Sequence, residues 1–213
     1  MANGQDDVDL LQIVAIGDPV LRRPAEPVDP AAIETAAFQR LIDQMRTTMI
    51  AAPGVGLAAP QVGIGIRLAV MEDSPQRWVD LGPAILAERE RTDLAFTVLV
   101  NPVVERLAEA GAVTFYEGCL SVPGYAGAVE RARTVRVTAL GADGEPFSAI
   151  YTGWSARIVQ HEVDHLDGRI YVDRVATRSL STVENLANWR ARPIAELADG
   201  LGFALSPGQA GFS

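Results

Sequence analysis

Apolar positions recur at helical spacing in two stretches of the chain, and alternate or run together through most of the rest. Phe38, Leu41, Ile42, Met45 and Met49 fall three or four apart, which predicts an amphipathic helix over about 31–50. Asp29 is placed to cap it, with Pro30 at the first helical position and Ala51-Ala52-Pro53-Gly54 to end it. Trp154, Ile158, His161 and His165 form the second stripe, with Thr152 or Ser155 as cap and Gly168 as stop. Strand-like segments lie between the two helices. Ile66 to Met71 is a buried run; Phe96 to Val100 and Val103 to Leu107 join at Asn101-Pro102; Gly111 predicts a hairpin into Val113 to Tyr116. Pro123-Gly124 is read as ending the strand that carries Glu117. From Thr134 to Leu140, Val135, Val137 and Ala139 alternate with Arg136 and Thr138, and Asp143-Gly144 turns that strand into Pro146 to Tyr151.

The ends and one insertion depart from this pattern. Ile13 to Arg22 is a short apolar run entering a turn, and Pro19, Pro24, Pro27 and Pro30 keep the backbone extended after it. Residues 72–95, with a helical run Ala84 to Arg91 rich in Glu and Arg, read as a solvated surface excursion. Ser181 to Trp189 and Pro193 to Leu201 predict short helices, and Ser206 to Ser213 a disordered end. The pattern gives one α+β domain, mostly antiparallel strands around a central helix, with an extension at each end.

Composition narrows the class. A length of 213 residues with 48% hydrophobic and 21% charged residues suits a soluble domain with a real core. No apolar run reaches the roughly 18 residues of a membrane span, so no membrane partner is expected. Met1 to Asp9 carries three aspartates and no Lys or Arg, unlike a signal or transit peptide. The single cysteine cannot form an intrachain disulfide and fits a reducing cytosol. A net charge of −9 argues against broad nucleic-acid binding. The arginines near the tail, Arg174, Arg178, Arg190 and Arg192, read as a solvated surface, with a transient ribosome contact as the alternative.

Both histidines of the chain lie in Gln160-His161-Glu162-Val163-Asp164-His165, four positions apart. On a helix that spacing puts two imidazoles on one face, and Glu162 beside them is within reach of an activated water. The arrangement is the His-Glu-x-x-His of metal-assisted hydrolysis, and it requires a third ligand from elsewhere. Asp167 and Asp173 stand downstream, off the usual spacing; Cys119 is the most metal-prone side chain left. A lone Cys is equally a small buried hydrophobe. Gly54-Val55-Gly56-Leu57-Ala58-Ala59 matches a dinucleotide fingerprint, but a helix precedes it and Pro60 breaks any helix after it. A tight turn, or a loop approaching a ligand with Gln61 as donor, fits better. A zincin-type endopeptidase, a cysteine hydrolase using Cys119 and His161, and a non-catalytic metal or peptide-binding module all remain open on these residues.

Taken together and in order, Gly54-Val55-Gly56-Leu57-Ala58-Ala59-x-Gln61, Glu117-Gly118-Cys119-Leu120-Ser121 and Gln160-His161-Glu162-x-Asp164-His165 resemble the three motifs of the peptide deformylase family. Asp18-Pro19-Val20-Leu21-Arg22 is similar to that family's N-terminal strand, so the resemblance covers about residues 10–175, flanked by extensions at 1–9 and 176–213. The lead-in Gly153-Trp154 and the 72–95 insertion resemble actinobacterial and mitochondrial members. The resemblance implies a peptide-deformylase-like fold and removal of the formyl group from N-terminal formylmethionine of nascent polypeptides in the bacterial cytoplasm, by a monomer. It implies one divalent metal on Cys119, His161 and His165: Fe²⁺ natively, with Zn²⁺, Ni²⁺ or Co²⁺ as substitutes. Glu162 would move the proton, and Gln61 with the Leu120 backbone N–H would stabilise the developing oxyanion. Val55, Phe115, Trp154, Ile158 and part of Leu120 would form the methionine pocket, and Gly56 with the strand after Glu117 would pair with peptide backbone. Asp164 would pair with Arg131, against a plain surface pair. Glu117 would fix the Gln61 loop or simply terminate a strand.

Overall fold

The computed structural model describes residues 10–188 and 192–209. Its helices are α1 (Pro30–Ile33), α2 (Ala36–Ala51), α3 (Pro83–Glu88), α4 (Trp154–Leu166), α5 (Val183–Ala187) and α6 (Ile194–Leu201). Its strands are β1 (Gly56–Ala58), β2 (Leu68–Asp73), β3 (Leu94–Arg106), β4 (Ala112–Cys119), β5 (Val122–Ala132), β6 (Thr134–Leu140), β7 (Pro146–Thr152) and β8 (Ser181–Thr182). They make a five-stranded antiparallel sheet in the order β1-β2-β3-β6-β7 and a three-stranded one in the order β4-β5-β8.

The five-stranded sheet is covered on both faces, which is why β2 reads as a continuous apolar run rather than an alternation. Leu68 and Val70 face α2, where Ile42, Met45 and Met49 are buried. Ala69 and Met71 face α4 and join Val159, Val163 and Leu166. The second sheet closes over α4 from the other side, and Gln160 ties the two together by bonding both the N–H and the C=O of Ala132. Ten of the thirteen residues of α4 are therefore buried, so its polar side chains must find partners inside the protein.

Several expectations change. The helix predicted over 31–50 is two helices: Asp29 caps only α1, and Thr35 caps α2 by accepting from the Phe38 N–H. Pro19–Arg22 is a 3₁₀ turn capped by Asp18, where a strand was expected. Asn101 takes a positive φ of 52° and bonds both backbone groups of Val28, so β3 runs through Asn101-Pro102 with a bulge. Gly111 does not turn a hairpin, because β3 and β4 belong to different sheets. Nor does Pro123-Gly124 end a strand: the turn sits at Leu120-Ser121, and β5 continues through both residues. The Asp143-Gly144 hairpin forms as expected, pairing Leu140 with Pro146.

The start of α4 differs too. Gly153, at φ 63°, is the N-cap residue, and no side chain caps the helix. A Cβ there would lie 2.4 Å from Glu90 Cβ, because the inserted segment packs on the helix start. That segment is anchored rather than solvated. Leu81 and Ile85 are buried, and Arg91 bonds both oxygens of the buried Asp73 while lying 5.0 Å from the Trp154 ring. The C-terminal segment is held as well. The Gln209 side chain bonds the N–H and C=O of Thr114, and Ser206 bonds the Thr114 hydroxyl, so the expected disorder does not begin at Ser206. Residues 1–9 and 210–213 lie outside the described residues.

Candidate active site

Burial on α4 sets the site. His165 is fully buried, His161 faces the cleft, and their ring centroids are 5.1 Å apart. β4 ends at Cys119 against this helix, with Cys119 Sγ 3.2 Å from His165 Nε2. Ligand atoms of Cys119, His161 and His165 all lie within 4.8 Å of one another. Burial holds His165 well below the ordinary imidazole value, so it is neutral and able to ligate. Glu162 Oε2 is buried with no hydrogen-bond partner among the described residues, leaving unused polar capacity beside the centre. One thiolate and two imidazoles fit a divalent transition metal, and Asp167 and Asp173 bond arginines instead.

The remaining residues of the three motifs meet here. The Gln61 side-chain oxygen accepts from the Ala58 N–H at 2.8 Å, which turns its amide nitrogen toward Cys119 Sγ at 3.5 Å and Ser121 Oγ at 3.4 Å. The N-terminal segment ties the two loops together: the Val14 N–H bonds the Gln61 carbonyl and the Ile16 N–H the Ser121 carbonyl. Glu162 is buried beside β1, and burial pushes its carboxyl up to about 7. Only glycine fits opposite it, since a Cβ on Gly56 would stand 2.1 Å from Glu162 Oε1. Gly56→Ala is expected to lower kcat about 10²-fold through displacement of Glu162 while the metal stays bound. A kcat within about threefold of wild type in steady-state assays would remove this role from Gly56.

Beneath the histidines lies a buried ionic network. Glu117 accepts two bonds of 2.9 Å from Arg131, one of 2.7 Å from Arg157 and one of 2.9 Å from His161 Nδ1. Burial opposes its charge, yet Arg131 foremost holds the carboxyl well below the usual range. An ionised Glu117 requires His161 Nδ1 to donate, which leaves His161 Nε2 with the free lone pair a metal needs. Glu117 thus orients a histidine, a role different from either one expected for it. Arg131 reaches on to Asp164, which also bonds Arg174 at 2.9 Å; the expected Asp164–Arg131 pair is buried, not a surface one.

Val55, Gly56, Gln61, Cys119, Leu120, Trp154, Ile158, His161 and Glu162 line one cavity of about 350 Å³ between β1 and β4. Phe115 does not line it. It packs with Ala128, Ile194 and Leu197 under the C-terminal helices. Three residues at the site were missed from sequence. Arg157 also bonds the carbonyls of Val113 and Val129, and burial pulls it down to about 10 despite Glu117. An arginine among Ala156, Ile158 and Val159 breaks the apolar stripe and could have flagged it. Tyr171, which carries no local signal, stacks on His161 with centroids 6.2 Å apart, and Ser121, the last residue of the Cys119 motif, partners Gln61.

The family model for polypeptide deformylase matches residues 10–180. The chain belongs to the polypeptide deformylase family. It is 50% identical to peptide deformylase 3 of Streptomyces avermitilis over 92% of this chain and 85% of that protein. It is 47% identical to the chloroplastic/mitochondrial peptide deformylase 1A of Arabidopsis thaliana, over 84% and 66%. Among solved structures, the Met-Ala-Ser-bound class I type b peptide deformylase of Acinetobacter baumannii matches with a TM-score of 0.70 at 36% identity, over 79% of this chain and 99% of that one. The Synechococcus elongatus peptide deformylase in complex with actinonin matches at 0.64 and 36%, over 91% and 87%. The protein is accordingly a metal-dependent deformylase, and it removes the formyl group from the N-terminus of nascent polypeptides.

Proposed function

We propose that Cys119, His161 and His165 hold the single divalent metal of this deformylase, natively Fe²⁺, and that Glu162, Gln61 and Leu120 carry the chemistry around it. The observation that supports this most is the meeting of the three ligand atoms within 4.8 Å in a chain with one cysteine and two histidines. When bound, the metal supplies a lowered water pKa and polarises the formyl carbonyl. Glu162 takes the proton of the attacking water and delivers it to the departing amine, from a site where its carboxyl exchanges protons near neutrality. The Gln61 amide nitrogen, held by the Ala58 bond, and the Leu120 backbone N–H receive the developing oxyanion. Trp154, Ile158 and Val55 take the methionine side chain, and the peptide backbone lies along Gly56 and the edge of β4. The Met-Ala-Ser held by the Acinetobacter relative supports a peptide in this place.

The substrate is the formylmethionyl end of a chain leaving the ribosome, and the enzyme works as a monomer in the bacterial cytoplasm. Among the described residues no helix is long and apolar enough to cross a membrane. Anaerobic purification is expected to yield about one divalent ion per chain, mostly iron, with formate released from a formyl-Met peptide and nothing from its acetyl counterpart. Cys119→Ala should emerge without the ion. Unchanged metal content in that variant would overturn the ligand assignment.

A further inference from the structure

The segment between β2 and β3 leaves the five-stranded sheet at Asp73 and returns to it at Leu94, and these two residues pair in register. Arg91 closes its neck. Both oxygens of the Asp73 carboxylate accept from Arg91, at 2.8 and 2.9 Å, and the two side chains are 1% and 9% exposed. A planar fork on a buried carboxylate is geometrically specific, so the guanidinium is fixed to the end of β2. That fixed group faces the start of α4. Its carbon lies 5.0 Å from the centre of the Trp154 ring and 5.9 Å from that of Trp78. Arg89 approaches the same Trp154 ring at 5.5 Å, and the Trp154 N–H bonds the Glu90 carbonyl. These distances are within reach of the attraction between a cation and an aromatic face.

Trp154 walls the catalytic cleft beside Ile158, whereas Arg91 does not line it. The Trp154 ring nitrogen is buried and makes no hydrogen bond among the described residues, so contacts alone fix the plane of the ring. A second wall residue is tied to the same segment. The Glu72 N–H bonds the Val55 carbonyl at 3.0 Å, and the Glu72 carboxylate takes both prongs of Arg46 on α2. We propose that Arg91, locked by Asp73, sets substrate specificity by fixing the Trp154 ring and with it the width of the pocket for the first side chain. Arg91 acts through Trp154 and is a positioning residue. The proposal rests on the deformylase reading, and it gives the 72–95 segment a part in substrate choice. With the ring held, an unbranched side chain such as methionine enters and a bulky aromatic one is refused. With the ring released, that refusal is lost.

The test is steady-state kinetics of the metal-loaded full-length enzyme on formyl-Met-Ala-Ser and formyl-Phe-Ala-Ser. Asp73→Leu with Arg91→Met removes the cation and its partner together, so no buried charge is stranded. This double variant is expected to raise KM for the Met peptide about tenfold with kcat within about threefold of wild type. The Met-to-Phe ratio of kcat/KM should fall about tenfold. A residue that served folding alone would lower both peptides equally and leave the ratio where it was. Arg91→Lys keeps the charge but loses the planar fork, and is expected to lower the ratio about threefold. It carries the test if the double variant does not fold. A Met-to-Phe ratio within about 1.5-fold of wild type in either folded variant would overturn the proposal. Absence of formate from both peptides with the wild-type enzyme would overturn the deformylase reading instead.

Discussion

Replacing Glu162 with glutamine is expected to lower kcat on a formyl-Met peptide by about 10²–10⁴-fold while the purified enzyme keeps its metal. Glutamine matches the shape of glutamate and fits the same space beside Gly56, so the cleft is retained. What is lost is, among the described residues, the one carboxyl lining that cleft besides Glu117, whose oxygens are already committed to Arg131, Arg157 and His161. Among the described residues no other carboxyl lining the cleft is left to carry a proton from water to amine. The same variant separates the competing chemistries. Cys119 and His161 bring their ligand atoms within 4.8 Å, and a cysteine hydrolase using Cys119 as nucleophile and His161 as base would run without metal. A kcat within tenfold of wild type, or activity resistant to chelators, would therefore defeat the assigned mechanism. Loss of the metal along with activity would instead make Glu162 a support of the centre.

The site was legible in sequence where chemistry depends on local spacing. His161 and His165 share a face because they are four residues apart on a helix, and Gly168 stops that helix at φ 73° within a turn of His165. Cys119 followed from residue type alone, and its arrival at His165 from 46 residues away depends on β4 joining the second sheet. Local pattern does not decide which sheet a strand joins. For that reason Gly111 was misread as a hairpin turn. The insertion failed for a related cause. Arg91 and Glu90 look solvated by composition, but Asp73 and Arg133 draw them down against Trp154 and Gly153. Arg157 was overlooked because an arginine on a helix is usually a surface residue, and only the closure of two sheets over α4 buries it.

Glu117→Gln tests how far the centre depends on the layer beneath it. The carboxylate is the counter-charge for two buried guanidinium groups, Arg131 and Arg157, and the acceptor that fixes the His161 tautomer. A neutral amide is no counter-charge for either arginine, and it accepts on one side only, so the His161 nitrogen can meet a donor instead of an acceptor. Leaving a buried charge uncompensated costs about 3–5 kcal/mol, a large part of a domain's total stability. Asp164 limits the damage at Arg131, which it also contacts, but not at Arg157, whose other acceptors are carbonyls. The variant is therefore expected to unfold at a markedly lower urea midpoint. Metal affinity should fall about 10–100-fold, the usual effect of removing the group that orients a ligating histidine. Glu117→Gln with Arg157→Leu removes the stranded charge together with its partner. The double variant should recover much of the stability and little of the metal affinity, because His161 still lacks its acceptor. Recovery of both together would mean that Glu117 acts only through packing, and its role in orienting His161 would have to be withdrawn.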